Sequence, residues 1–142
     1  MGRRSRENEN RQMIVADTSA WIDYVRGIEA SHTNILDYEL QHNRIITGDL
    51  IITEFLKGFR EEKDYQAAKR IMESLEYHDF VGKEIAVQAA QNFRKLRKKG
   101  VTVRKTIDVI IATFCIENGY ALIHNDHDFD PMEEILGLKV KR

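Results

Sequence analysis

Met13-Ile14-Val15-Ala16-Asp17-Thr18-Ser19-Ala20-Trp21 is the stretch from which the rest of the chain can be read. An unbroken apolar run followed by an acid and two hydroxyl residues reads as a buried strand that gives way to a helix at an Asp cap. Arg44-Ile45-Ile46-Thr47 repeats the short-strand pattern. His78 to Val81 is a candidate third strand, Tyr120 to His124 a fourth and Leu138 to Val140 a fifth. The intervening segments have helical periodicity. Ala20 to Gln41 holds one or two helices, and Gly48-Asp49 opens another with Ile51, Ile52, Phe55 and Phe59 at i, i+3/i+4 spacing. Glu62 to Glu76 carries Tyr65, Ala68, Met72 and Leu75 on one face, core or dimer contact. Lys83 to Lys99 carries Ile85, Ala89, Phe93 and Leu96, and Gly100 closes it. Thr106 to Asn118 is the last helix, ended by Gly119, and the lone proline, Pro131, lies outside every proposed element. Strands alternating with helices predict an α/β sandwich with a mostly parallel sheet of four to five strands.

The 142 residues fit one domain, and 42% apolar residues suffice for a packed core. Residues 1–12 contain four arginines, two glutamates and no apolar residue but Met1, so they are expected to form an unfolded extension ahead of a single domain spanning 13–142. Met13, followed at once by Ile14-Val15-Ala16, is a candidate alternative translation start. The basic head lacks the apolar stretch of a signal peptide, and no run is long enough to span a membrane. One cysteine, Cys115, excludes an intramolecular disulfide. A cytoplasmic protein is the expectation.

In an open α/β sheet, ligands collect outside the carboxyl ends of the strands. Asp17 falls there after the first strand, and Asp126 and Asp128 after the fourth, in Asn125-Asp126-His127-Asp128-Phe129. A helix cap and ordinary turn chemistry would also account for them. Glu54 is harder to dismiss, because it sits among Leu50, Ile51, Ile52, Phe55 and Leu56. Gly58, one turn on, is expected to permit a close approach. Asp108 opens the most apolar helix, where the helix dipole is expected to favour its ionised form. Carboxylates gathered in one cleft repel, and a hard divalent cation such as Mg²⁺ removes that conflict. Attack by a metal-activated water on a phosphodiester would follow.

These residues resemble those of PIN domains, specifically the VapC-type toxins of bacterial and archaeal toxin–antitoxin pairs. Asp17-Thr18-Ser19-Ala20-Trp21 is similar to the family's opening motif, and Thr53-Glu54-Phe55-Leu56-Lys57-Gly58 to its second acidic motif. Asp108 with Ile111-Ala112 resembles the third, and Asn125-Asp126-His127-Asp128-Phe129 the fourth. The four run in order from about Met13 to the end of the chain. The resemblance implies a three-layer α/β/α PIN fold and a Mg²⁺- or Mn²⁺-dependent endoribonuclease toxin that restrains translation. It gives Asp17, Glu54, Asp108 and Asp126 the catalytic roles, and Asp17, Asp108, Asp126 and Asp128 the metal. Thr18, Ser19 and Asn125 are implied as supports that orient these carboxylates. Partners implied are an RNA substrate, a small VapB-type antitoxin and a second copy of the chain. His124 stands where many relatives have threonine, and residues 1–12 lie outside the family pattern.

Arg94, Lys95, Arg97 and Lys98, with Arg104 and Lys105, are candidates for RNA contact, although such a run also suits a solvated helix face. The formal net charge of −1 conceals a separation: residues 1–12 carry +2, residues 83–105 carry +7, and the other 107 carry −10, including all five candidate carboxylates. His124 and His127 lack partners at zinc spacing. Cys115 reads as core, and Trp21 and Tyr24 as packing or as a stacking surface for a base. Three other functions stay open: a PIN nuclease of RNA processing without toxicity, a receiver-like phosphoacceptor and an inactive RNA-binding module. The receiver requires a lysine soon after a late strand, and Ala121 to Pro131 has none.

Overall fold

Ile14, Val15 and Ala16 of strand β1 (Met13–Ala16) are wholly buried, as a strand covered on both faces requires. The computed structural model describes residues 12–142, so the extension expected for 1–12 lies outside the described residues except for Gln12. Gln12 itself is held: its N–H donates to Asn43 Oδ1, and its carbonyl accepts from the N–H of Arg44.

From β1 the chain forms helices α1 (Thr18–Val25) and α2 (Ser31–His42), then β2 (Arg44–Gly48), α3 (Asp49–Leu56) and α4 (Glu62–Glu73). It continues through β3 (Glu76–His78), α5 (Lys83–Lys98), α6 (Thr106–Asn118) and β4 (Ala121–Ile123). A 3₁₀ turn (His127–Phe129) and α7 (Asp130–Leu136) complete it. The four strands are all parallel in the order β3-β2-β1-β4, with Ile14 opposite Ile45 on one side and Ala121 on the other.

Parallel crossovers are right-handed. Helices α1 to α4 carry the chain from β1 through β2 to β3 and therefore cover one face, while α5 and α6 carry it back to β4 over the other. Side-chain packing follows this division. Trp21 of α1 lies 6.4 Å from the Phe55 ring of α3, and Thr47 of β2 contacts Met72 of α4. Of the stripe Tyr65, Ala68, Met72 and Leu75, Ala68 and Met72 are buried in the core and Leu75 packs against it. Asn92 and Thr113, both buried, hydrogen-bond at 2.9 Å where α5 meets α6.

Three details depart from the sequence expectation. The third strand lies at Glu76–His78, two residues earlier than Phe80 and Val81 suggest. It is an edge strand with half-exposed Tyr77, so it lacks a run of apolar residues, and Phe80 instead folds under Gly48. A Cβ on Gly48 would occupy the same space as the Phe80 ring and the His78 carbonyl. The fifth strand is reduced to a single bridge between Leu122 and Val140. Pro131 lies inside an element after all, in the first turn of α7, where its missing N–H costs nothing.

Candidate active site

Chain connectivity creates the crevice in which the site lies. β1 and β4 are neighbours, but β1 leads into α1 on one face and β4 into α7, which packs against α5 and α6 on the other. Their carboxyl ends thus border a topological switch point. Asp17 leaves β1 there, its N–H donating to Ile123 O of β4 at 2.9 Å. As N-cap of α1, it accepts from the Ser19 N–H at 3.1 Å and the Ser19 hydroxyl at 2.7 Å. Burial pushes the Asp17 carboxyl above its ordinary range, against the opposing effect of the Ser19 hydrogen bonds.

Asp108 enters the same crevice from the first turn of α6, and Asp126 and Asp128 come from the turn after β4. Carboxylate oxygens of Asp108, Asp126 and Asp128 all lie within 4.8 Å of one another. Asp126 caps the 3₁₀ turn by accepting from the Asp128 N–H at 2.9 Å, and it accepts from Lys105 Nζ at 3.2 Å. Burial would raise Asp126, but these two donors bring its carboxyl below the ordinary value. The opposite holds for Asp108, which is 4% exposed. Burial and the neighbouring Asp17 push its carboxyl up to about 7, with only Lys105 opposing. The dipole of α6 was expected to favour the ionised form; burial and like charge outweigh it.

Glu54, expected from the sequence as a catalytic acid, lies on α3. Its carboxylate pairs with Lys57 Nζ at 3.2 Å and is not a member of the three-carboxylate group. Gly58 lies beyond the end of α3, and a Cβ there would meet only Phe55 O at 3.8 Å, so no close approach explains it. Thr18 Oγ1 is buried without a hydrogen-bond partner, whereas Ser19 and Asn125 are joined, the Asn125 N–H donating to Ser19 Oγ at 2.9 Å. His124 accepts the Asp126 N–H on Nδ1 at 3.1 Å, which leaves the proton on Nε2. Burial lowers its pKa, so the ring is neutral near pH 7. His127 is exposed and pairs with Asp130 at 2.8 Å.

Of the candidate RNA-contact residues, Arg94, Lys95, Arg97 and Lys98 are exposed along α5, Arg97 lying over the Phe93 ring at 5.4 Å. Arg104 and Lys105 belong to the carboxylates themselves. Arg104 Nε is 3.9 Å from Asp128 Oδ1, and Lys105 Nζ is 3.6 Å from Asp108 Oδ2. Residues that sequence reasoning missed are Asp23 and His32. Asp23 Oδ2 takes Asn125 Nδ2 at 3.0 Å and His32 Nε2 at 2.7 Å. The i, i+4 spacing of Ser19 and Asp23 on one face of α1 was the available signal. Trp21 is wholly buried and Cys115 likewise, which makes both core residues.

The donor set suits a hard divalent cation: oxygen ligands only, and a buried oxygen, Asp108 Oδ2, that accepts no hydrogen bond. The chain is thus a parallel α/β sandwich whose carboxylates converge at the switch point of its sheet. The chain matches the family model described as PIN domain over residues 14–135 and belongs to that family. It is 33% identical over 131 residues to VapC ribonuclease Mb1587 of Mycobacterium bovis and to Ribonuclease VapC11 of Mycobacterium tuberculosis. In each case 89% of this chain and 96% of the relative are covered. Its fold is similar to that of VapBC2 from Rickettsia felis, solved with a DNA fragment from its promoter. The TM-score is 0.74 at 20% identity, over 92% of this chain and 98% of that one.

Proposed function

We propose that this protein is the toxin of a type II toxin–antitoxin pair, an endoribonuclease that hydrolyses RNA phosphodiester bonds with Mg²⁺ or Mn²⁺. The observation that carries the reading is the convergence of Asp108, Asp126 and Asp128 from two separate segments, with their oxygens within 4.8 Å. The 33% identity to ribonucleases named VapC, over nearly the whole chain, supports it.

In this reading Asp108, Asp126 and Asp128 hold the cation, whereas Asp17, expected from the sequence as a fourth ligand, is not a member of their group and acts electrostatically on Asp108 as a buried acid. A cation held there supplies an acidified water as nucleophile and stabilises charge on the phosphodiester. Ser19 orients the Asp17 carboxylate and His124 the Asp126 backbone. Arg104 and Lys105 bring positive charge to an acidic cleft, and the exposed arginines and lysines of α5 extend it for the RNA backbone. Glu54 of α3, paired with Lys57 Nζ at 3.2 Å, is the remaining catalytic acid of this reading. A VapB-type antitoxin and a second copy of the chain are the protein partners, and the cytoplasm is the compartment. Among the described residues no helix is long and apolar enough to cross a membrane.

Single-stranded RNA incubated with the purified protein and Mn²⁺ or Mg²⁺ tests this. Cleavage that disappears in EDTA and in Asp108→Asn is the expected result. Induced expression should arrest growth. Cleavage without growth arrest would replace the toxin by a processing nuclease, and binding without cleavage would leave an RNA-binding module.

A further inference from the structure

We infer that Asp23 and His32 are positioning residues of this site, holding the peptide that leads into Asp126 against helix α1 through Asn125. The inference rests on the reading of the carboxylates as a metal-dependent ribonuclease site.

Asn125 immediately precedes Asp126 and donates to α1 from both of its nitrogens. Its backbone N–H goes to Ser19 Oγ at 2.9 Å, and its side-chain Nδ2 goes to Asp23 Oδ2 at 3.0 Å. Ser19 and Asp23 are one helical turn apart, so α1 presents two acceptors on one face to a single asparagine. Ser19 Oγ in turn donates to Asp17 Oδ2 at 2.7 Å. The path Asp17–Ser19–Asn125–Asp23 therefore ties the cap of α1 to the turn after β4. It joins segments 102 residues apart in sequence at its Asn125–Asp23 step.

His32 completes the path. Its Nε2 lies 2.7 Å from the same Asp23 oxygen, and since a carboxylate only accepts, Nε2 carries the proton. The two side chains are 15% and 18% exposed, so the pair is shielded from competing water. His32 stands in the first turn of α2, which brings a third element to the anchor. Groups that fix the ligand-bearing backbone set how closely carboxylates can meet a cation, and their loss is felt as weaker metal binding and slower turnover rather than weaker substrate binding.

The test compares wild type with Asp23→Ala, His32→Ala and His32→Gln by amide hydrogen exchange, Mn²⁺ titration and steady-state cleavage of single-stranded RNA. Asp23→Ala should speed exchange at the Asn125 amide and weaken Mn²⁺ binding by about tenfold. It should lower kcat while KM for RNA stays within about twofold. His32→Ala should move the same readouts in the same direction, and His32→Gln, whose amide can still donate to Asp23, should restore them. Unchanged Asn125 exchange and Mn²⁺ affinity in Asp23→Ala would overturn the assignment, as would His32→Gln behaving like His32→Ala. If wild type cuts no RNA, the ribonuclease reading fails, and exchange with Mn²⁺ titration still decides the role of the pair. If it binds no Mn²⁺ either, exchange alone decides.

Discussion

Lys105 places its ammonium 3.6 Å from Asp108 Oδ2, a buried oxygen that accepts no hydrogen bond. Burial alone would lower the lysine's pKa, but Asp108 and Asp126 together raise it, so the side chain stays charged. It is a cation that the acidic cluster holds from within the chain, bridging Asp108 and Asp126.

A divalent ion in the same cluster would compete with that ammonium. Lys105→Gln should therefore bind Mn²⁺ more tightly than wild type in a calorimetric titration at low ionic strength. Weaker binding would mean that the lysine organises the carboxylates instead of competing for them.

The raised pKa of Asp108 carries a sign that can be measured. The folded chain prefers the protonated acid, with a folded value of about 7 against an ordinary 3.8. The penalty is absent below the ordinary value, grows as pH rises through the interval between them and is complete above the folded one. In EDTA the thermal midpoint of the wild type should fall between pH 5 and pH 8. Asp108→Asn should melt higher than wild type at pH 8 while losing cleavage, which gains stability at the expense of activity. Added Mg²⁺ should raise the wild-type midpoint at pH 8 and do little at pH 5. A wild-type midpoint independent of pH across that range would contradict this.

Arg104 is exposed beside Asp128, and Lys98 is exposed near the end of α5. If both meet phosphate, Arg104→Gln and Lys98→Gln should each weaken RNA binding and reduce the slope of log affinity against log salt by about 1. Mn²⁺ affinity of Lys98→Gln should stay unchanged. Fluorescence anisotropy with a labelled single strand at several salt concentrations reads this, and an unaltered slope would place these side chains away from the RNA.

Gly48 lies against Phe80 with no room for a methyl group. Gly48→Ala should destabilise the fold by about 2 kcal/mol through overpacking, measured by urea denaturation. A loss below about 0.5 kcal/mol would mean that Phe80 moves aside at little cost.

Much of this protein is legible along the chain. β1, β2 and β4 are legible because strands enclosed on both faces carry a run of apolar residues, and α6 is bounded within a residue by Thr106 and Gly119. β3 is not, because an edge strand with polar Glu76 and His78 has no such requirement. Asp126 and Asp128 stand out as acids at a strand end. Asp23 and His32 do not, since the i, i+4 spacing of Asp23 from Ser19 is the one local mark and it does not say that Asn125 and His32 meet at Asp23.

The linear order of residues determined the alternation of strand and helix, the four acidic positions and the concentration of positive charge in 83–105, since each depends on neighbours within a few residues. Only the tertiary structure decided which acids meet. Asp108, Asp126 and Asp128 converge, Glu54 pairs with Lys57, and Lys105 turns inward to the carboxylates. That outcome depends on distances between segments far apart in sequence, set by the packing of α6 against β4 and the turn that follows it. It depends equally on burial, which reverses the protonation preference that the helix position of Asp108 would otherwise have had.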